Sequence, residues 1–328
     1  MKKIVFVSVA LLLILMPVFA SGQREMDSDK LTFAFVPGIA DPFYFTMERG
    51  IQEKAKELGV NIIVAEYPKS WGPEAQVPIL EATAARGGID AILVAPTSVD
   101  ALIAPLKKLH DQGMEIITVD TFLGDGDYSK ESEFSFPLAY IGTDNYLGGK
   151  NVAEHLAAMV GESGDVYVNT TNPDVSSVAD RVRGFRDGIA EFPNMRVVAV
   201  DYNLDVQQKA MEQTLTALQS DPDIVGVFGT NVFSAQGAYQ AVVNAGLTGA
   251  VKIASWDATE TLINALKEGE VDLVLAQKPA EIGSLAVEWA YKYFMEDAKV
   301  PHKVIPGFEF FDQENVNDPD MQQFVYRR

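Results

Sequence analysis

The chain of 328 residues contains no cysteine. Disulfides, thiolate nucleophiles and cysteine-ligated metals are therefore excluded. Histidine is scarce too: His110, His155 and His302 are the only three. Each stands alone, and the first two fall in helical patterns that suit surface or packing roles. Enzymatic signatures are also missing. There is no Gly-x-Ser-x-Gly elbow, no Gly-x-x-x-x-Gly-Lys-Ser/Thr phosphate loop and no Gly-x-Gly-x-x-Gly fingerprint. Asp125-Gly-Asp127 opens like a calcium loop, but Lys130 stands where that loop needs glycine. The reading is of a protein that is not an enzyme and has no catalytic residue, cofactor or metal site.

Basic charge is in deficit, with 26 Lys and Arg against 46 Asp and Glu and a net charge of −20. The acids are spread along the chain, as on a solvated surface. Repulsion from phosphate argues against a nucleic-acid partner. Beyond the N-terminus no apolar run reaches membrane length. The N-terminus itself reads as a secretory signal peptide over residues 1–20. Met1-Lys2-Lys3 is basic, Ile4 to Met16 is apolar except for Ser8, and Pro17 precedes Val18-Phe19-Ala20. Cleavage after Ala20 removes Lys2 and Lys3, takes the charge to about −22 and leaves a polar, flexible leader over 21–30. With no cysteine there to carry a lipid, the expected product is exported, soluble and unanchored, which favours the periplasm.

What the chain does contain is a loose duplication. Asp90-Ala-Ile-Leu-Val-Ala-Pro-Thr97 lies without gaps over Asp223-Ile-Val-Gly-Val-Phe-Gly-Thr230. Both copies run through a helical segment to a glycine, Gly113 and Gly246, and then to a second strand. Those strands, Glu115-Ile-Ile-Thr-Val-Asp120 and Lys252-Ile-Ala-Ser-Trp-Asp257, each end in aspartate. A strand–helix–strand unit repeated about 130 residues apart points to an α/β protein of two similar lobes. Ligands of open parallel sheets bind beyond the carboxyl ends of the strands, so the two aspartates are expected to face one cleft.

The rest of the chain alternates in the same way. Strands are expected at 31–36, 61–65, 91–95, 115–119 and 140–144, with helices at 43–58, 74–86 and 99–112, the last kinked or shortened by Pro105. A Gly, Asp and Ser-rich loop spans 124–137. A helix from about Leu147 follows. Strands near 165–170, 196–201, 224–229, 251–256 and 272–276 then alternate with helices near 178–190, 206–219, 233–245, 259–268 and 280–296. Continuous apolar strands between amphipathic helices mean parallel sheets covered on both faces. The tail from Pro301 has no clear period.

Residues at these strand ends suit a polyhydroxylated molecule, whose hydroxyls want charged partners and whose C–H faces want aromatic rings. Phe43 and Tyr44 follow the first strand, Asp120, Trp256 and Asp257 end later ones, and Asn231 and Gln277 follow others. Core packing is the competing role for the aromatics, and helix N-capping for Asp120 and Asp257.

Taken in order, several segments resemble the ribose-binding-protein-like periplasmic solute-binding proteins. They are Phe33-Ala-Phe-Val with Asp41-Pro42-Phe43-Tyr44, Ala91 to Thr97, Ile116 to Asp120, and Ile141-Gly-Thr-Asp144-Asn145-Tyr-Leu-Gly-Gly149. Arg181-Val-Arg-Gly184-Phe185, Asn231, Trp256-Asp257 and Leu275-Ala-Gln277-Lys-Pro279 continue the series. The resemblance implies two Rossmann-like lobes joined by a three-crossover hinge, closing on a monosaccharide or sugar alcohol for delivery to the membrane permease of an ABC importer. A chemoreceptor is a further candidate partner, and a monomer is expected. By the same resemblance Phe43, Tyr44 and Trp256 would face the sugar ring, while Asp120, Arg181, Asn231, Asp257 and Gln277 would bond its hydroxyls. Asp41 replaces an asparagine of the ribose binders, Thr121 an arginine and Ala95 another asparagine, so ribose itself is in doubt. Lys69 and Trp71 are candidates for compensating contacts. The implied first lobe comprises 30–143 plus 278–305 and the second 144–277 plus 306–328. Alternatives are a receptor for a non-sugar molecule such as a furanone signal, or a secreted carbohydrate-active enzyme. LacI-type regulators share the fold, but a signal peptide occupies the place of their DNA-binding helices.

Overall fold

The structure is a computed structural model and describes residues 30–327. The signal peptide and nearly all of the leader read from the sequence lie outside the described residues. The chain folds as two α/β lobes, each a six-stranded sheet with helices on both faces.

In the first lobe, β1 (Thr32–Val36) leads to α1 (Pro42–Leu58). Asp41 starts that helix, its Oδ1 accepting the Tyr44 N–H at 2.9 Å, while Pro42 supplies a preset φ at the first turn. Gly59, at φ 72°, ends it. Then follow β2 (Asn61–Val64), α2 (Pro73–Ala84), β3 (Ala91–Val94), α3 (Ile103–His110), β4 (Glu115–Val119) and β5 (Ala139–Ile141). The segment expected to be helical from residue 99 starts only at Ile103. Pro105 thereby falls in the first turn, where no N–H is needed.

The second lobe holds α4 (Asn145–Met159), β6 (Ser163–Thr170), α5 (Ser176–Ile189), β7 (Asn194–Tyr202), α6 (Gln207–Ser220) and β8 (Ile224–Gly229). It continues with α7 (Val232–Asn244), β9 (Lys252–Trp256), α8 (Glu260–Lys267) and β10 (Leu273–Ala276). The chain then returns to the first lobe, where α9 (Pro279–Glu296) packs along α1 and β11 (Lys303–Val304) pairs with β5. It crosses once more for β12 (Glu309–Phe311), which pairs antiparallel with β10. The tail without a period thus adds one short strand to the edge of each sheet.

The strand orders are β11-β5-β4-β3-β1-β2 and β12-β10-β9-β8-β6-β7. Apart from β12 every pairing is parallel. Period-two alternation sends Phe33 and Phe35 of β1 to the core under α1 and α9, and Ala34 and Val36 to the core under α2 and α3. Each sheet reverses its order once, at β1/β3 and at β6/β8, and the two reversal points open toward each other.

Candidate ligand-binding site

A cavity lies between the lobes, at the carboxyl ends of both sheets. The first lobe contributes Ile39, Asp41, Phe43, Tyr44, Trp71 and Asp120, from the segments following β1, β2 and β4. The second contributes Thr171, Val175, Ser177, Val178, Arg181, Asp205, Asn231 and Asp257, and Gln277 closes the floor just after β10. The lobes also meet at the rim, where the Phe122 N–H donates to Ser176 Oγ at 3.1 Å.

The two duplicated aspartates are equivalent down to the backbone. Asp120 has φ 62° and Asp257 φ 78°, a left-handed conformation uncommon outside glycine. The N–H of each donates to the last turn of the neighbouring strand, Asp120 to Ile141 O at 2.9 Å and Asp257 to Leu275 O at 2.8 Å. Neither caps a helix that follows it in the chain: Thr259 caps α8 and a loop follows Asp120, although the Asp257 carboxylate also accepts from the Val232 N–H at the start of α7. Both carboxylates line the cavity. Tyr44 Oη donates to Asp120 Oδ2 at 2.7 Å and Gln277 Nε2 to Asp257 Oδ1 at 2.8 Å.

Arg181 is 2 % exposed and well held. Its Nε donates to Asn145 Oδ1 at 2.9 Å and its Nη1 to Thr230 O at 2.8 Å. Asn145 in turn donates to Thr143 O at 3.1 Å, and Thr143 Oγ1 donates to Gln277 Oε1 at 2.7 Å. One polar chain thus joins the arginine, two of the segments linking the lobes, and Asp257. The helix that carries Arg181 sits unusually close to α4. A Cβ on Gly184 would lie 2.0 Å from Tyr146 O, and one on Gly149 2.2 Å from Arg181 O, so only glycine permits this approach.

Nine of the eleven residues expected at the site are brought together: Asp41, Phe43, Tyr44, Trp71, Asp120, Arg181, Asn231, Asp257 and Gln277. Two expectations need correction. Lys69 is exposed and does not line the cavity. Trp256 is fully buried in the second lobe's core against Phe228, and its ring lies under the Arg181 guanidinium at 4.3 Å. The side chain falls on the face of β9 covered by α4, where Gly148 leaves room for it, so it supports the arginine from behind.

Sequence reasoning missed Asp205, Thr171 and Tyr326. Asp205, at φ 63°, follows β7 and accepts from Asn231 Nδ2 at 2.6 Å. Its position after a strand end is the signal that could have found it. Thr171 Oγ1 is buried without a hydrogen-bond partner among the described residues.

The cavity therefore faces four buried carboxyls with one guanidinium. Burial lifts Asp120 to about 6 even though Arg181 and Tyr44 oppose the rise. Burial lifts Asp205 to about 6 against the Asn231 hydrogen bond. Asp41 is pushed well above the usual range by burial, with Asp257, Asp205 and Asp120 adding to it, and burial also raises Asp257. Arg181 Nη2 stands 3.9 Å from Asp120 Oδ1, so the one cation in the lining among the described residues spans the two lobes. Among the described residues no group of His, Cys, Asp or Glu is arranged to hold a metal.

The family model for the periplasmic binding protein domain matches residues 33–297, and the chain belongs to that family. It is similar in structure to an ABC transporter solute binding protein from Agrobacterium vitis bound with α-D-tagatopyranose. The TM-score is 0.88 at 39% identity, over 91% of this chain and 100% of that one. It is 27% identical over 269 residues to the D-allose-binding periplasmic protein of Escherichia coli K12, 82% of this chain and 84% of that protein. It is 28% identical over 256 residues to the ribose import binding protein of Salmonella typhimurium, 77% of this chain and 81% of that one.

Proposed function

We propose that this periplasmic binding protein captures an uncharged monosaccharide or sugar alcohol between its lobes and delivers it to an ABC importer. The observation that carries the reading is the composition of the cavity. Four carboxyls, one guanidinium and two carboxamides converge there and can meet hydroxyls all round. Phe43, Tyr44 and Trp71 supply apolar faces on one side. Four acids against one arginine disfavour sugar acids and sugar phosphates, because a second anion would enter without a counter-charge. The left-handed Asp120, Asp205 and Asp257 hold their carboxyls preset, and Thr171 Oγ1 offers a buried partner that the protein itself leaves unused.

The relatives cited above are named for ribose, allose and tagatose, which favours a sugar over a furanone signal and a receptor over a secreted enzyme. Among the described residues no helix is long and apolar enough to cross a membrane. A monomer working in the periplasm, with a permease and a chemoreceptor as candidate partners, fits this reading. Motion is assigned to the three segments that pass between the sheets, near Thr143, Gln277 and Pro306, with lobes of 30–143 plus 278–305 and 144–277 plus 306–328. Titration calorimetry with tagatose, allose, ribose and sugar alcohols tests the function. Binding of at least one, with the ligand recovered unchanged, is expected. Binding of none would overturn the sugar reading, and turnover would overturn the receptor reading.

A further inference from the structure

We propose that Tyr326, contributed by the C-terminal tail, is a positioning residue that holds Gln277 and Asp257 in their ligand-binding geometry. The inference rests on the receptor reading above and adds to it a residue far from the strand ends that build the site. Tyr326 is 1% exposed. Its hydroxyl oxygen accepts the Gln277 backbone N–H at 2.7 Å. Its own hydrogen has two acceptors within reach, Asp257 Oδ1 at 3.3 Å and Gln277 O at 3.4 Å. Burial keeps that hydroxyl protonated and therefore a donor. One phenol thus touches both members of the pair that Gln277 Nε2 and Asp257 Oδ1 form at 2.8 Å.

The tail is fixed from both sides. The Tyr326 N–H donates to Ala258 O at 2.8 Å in the second lobe. Its ring lies edge-on to Phe43 of the first lobe at 5.9 Å, and Thr46 Oγ1 on α1 donates to Arg327 O at 3.3 Å. Gln277 sits where the chain leaves the second sheet, and its amide is gripped at the other end by Thr143, where the chain leaves the first. Thr143 and Asp257 give the carboxamide one orientation, oxygen to Thr143 and nitrogen to Asp257, while Tyr326 holds the backbone from which it projects. Released at Tyr326, the backbone of Gln277 loses its partner and Asp257 loses a donor. Tyr326 consequently ties ligand geometry to two of the connections that must flex when the lobes open.

The test is titration of the full chain with D-tagatose, D-allose and D-ribose, comparing the parent with Tyr326→Phe, Thr143→Val and the double variant. Phe keeps the ring against Phe43 and removes only the hydroxyl. Each single variant should bind the responding sugar about tenfold more weakly, the scale of one hydrogen bond. The double variant should lose less than the product of the two, because both substitutions loosen the same residue, Gln277, one at its backbone and one at its side chain. Hydrogen exchange of the Gln277 amide in the ligand-free protein should speed up in Tyr326→Phe. A lowered melting temperature with Kd unchanged within twofold would mark a purely structural tyrosine and overturn the proposal. If Tyr326→Phe does not fold, a Gln277 backbone amide that exchanges in the ligand-free parent as fast as an unbonded one overturns it just as well. If the parent binds none of the sugars, the receptor reading fails and the exchange rate at Gln277 decides the role of Tyr326 by itself.

Discussion

The guanidinium carbon of Arg181 lies 4.3 Å above the ring of Trp256, and its Nη2 stands 3.9 Å from Asp120 of the opposite lobe. The arginine is thus stacked on its own lobe and aimed at the other. Nε and Nη1 are taken up by Asn145 and Thr230. Among the described residues Nη2 is left for the proposed ligand, between the lobes.

Removing that side chain should therefore cost affinity before it costs stability. Arg181→Ala is expected to weaken sugar binding by at least about 2 kcal/mol, the scale for a hydrogen bond to a charged group. Calorimetric titration checks it, and affinity equal to the parent would show that Arg181 does not touch the ligand.

Trp256 should behave differently, since the structure places it in the core. Trp256→Ala is expected to cost about 3–5 kcal/mol of folding stability through the cavity it leaves. Affinity should fall as a consequence of the lost support under Arg181. Denaturant melts of the ligand-free variant provide the measurement; a stability loss below about 1 kcal/mol would contradict the burial.

The alternation of strands and helices was legible because each element carries its own period, and Asp120 and Asp257 were legible because the chain writes their unit twice. Asp205 was not, since β7 lies outside the duplicated stretch and nothing in Asn203-Leu204-Asp205 signals a left-handed turn. Tyr326 arrives from a tail with no period, and only the folded chain brings it to Asp257. Trp256 was placed at the right strand end but on the wrong side of it. Its neighbour across the lobe, Gly148, is the local hint: a residue with a side chain there would collide with the indole, 2.5 Å from its Cβ position. Lys69 illustrates the limit of strand-end reasoning, because the loop after β2 turns its Trp71 inward and leaves the lysine in solvent.

The four cleft acids also set a pH dependence whose sign follows from burial. Asp120 and Asp205 titrate at about 6 in this conformation, against 3.8 for a carboxyl in an unfolded chain. Between those values the folded form holds protons that the unfolded form has released, so folding stability falls as pH rises. The contribution is complete below about 3.8 and is lost as pH climbs through about 6. Of the charges facing them, Arg181 lowers Asp120, while Asp257 adds to the rise of both. Asp127, paired with Lys130, and Asp165, paired with Arg196, are shifted the other way and titrate below the window. Denaturant midpoints of the ligand-free protein should therefore drop between about pH 3.8 and 6, and Asp205→Asn should flatten the slope. A slope identical to the parent's would mean that Asp205 is not buried in solution.

The close approach of α4 and α5 gives the last expectation. Arg181 reaches the cavity only because Gly149 and Gly184 let the two helices touch backbone to backbone. A methyl at Gly184 would sit 2.0 Å from the carbonyl oxygen of Tyr146 and 3.0 Å from the Lys150 nitrogen, neither of which can swing aside as a flexible side chain could. The helices must then separate, and α5 carries Arg181 away from Asn145 and from the face of Trp256. Gly184→Ala is expected to destabilise the ligand-free protein by about 1–3 kcal/mol, the usual cost of overpacking, and to weaken sugar binding as well. The substitution raises helix propensity on α5, so helix formation alone would predict the opposite sign. A melting temperature at or above the parent's, with unchanged affinity, would show that the helices tolerate the wider spacing and that the arginine is not positioned by this contact.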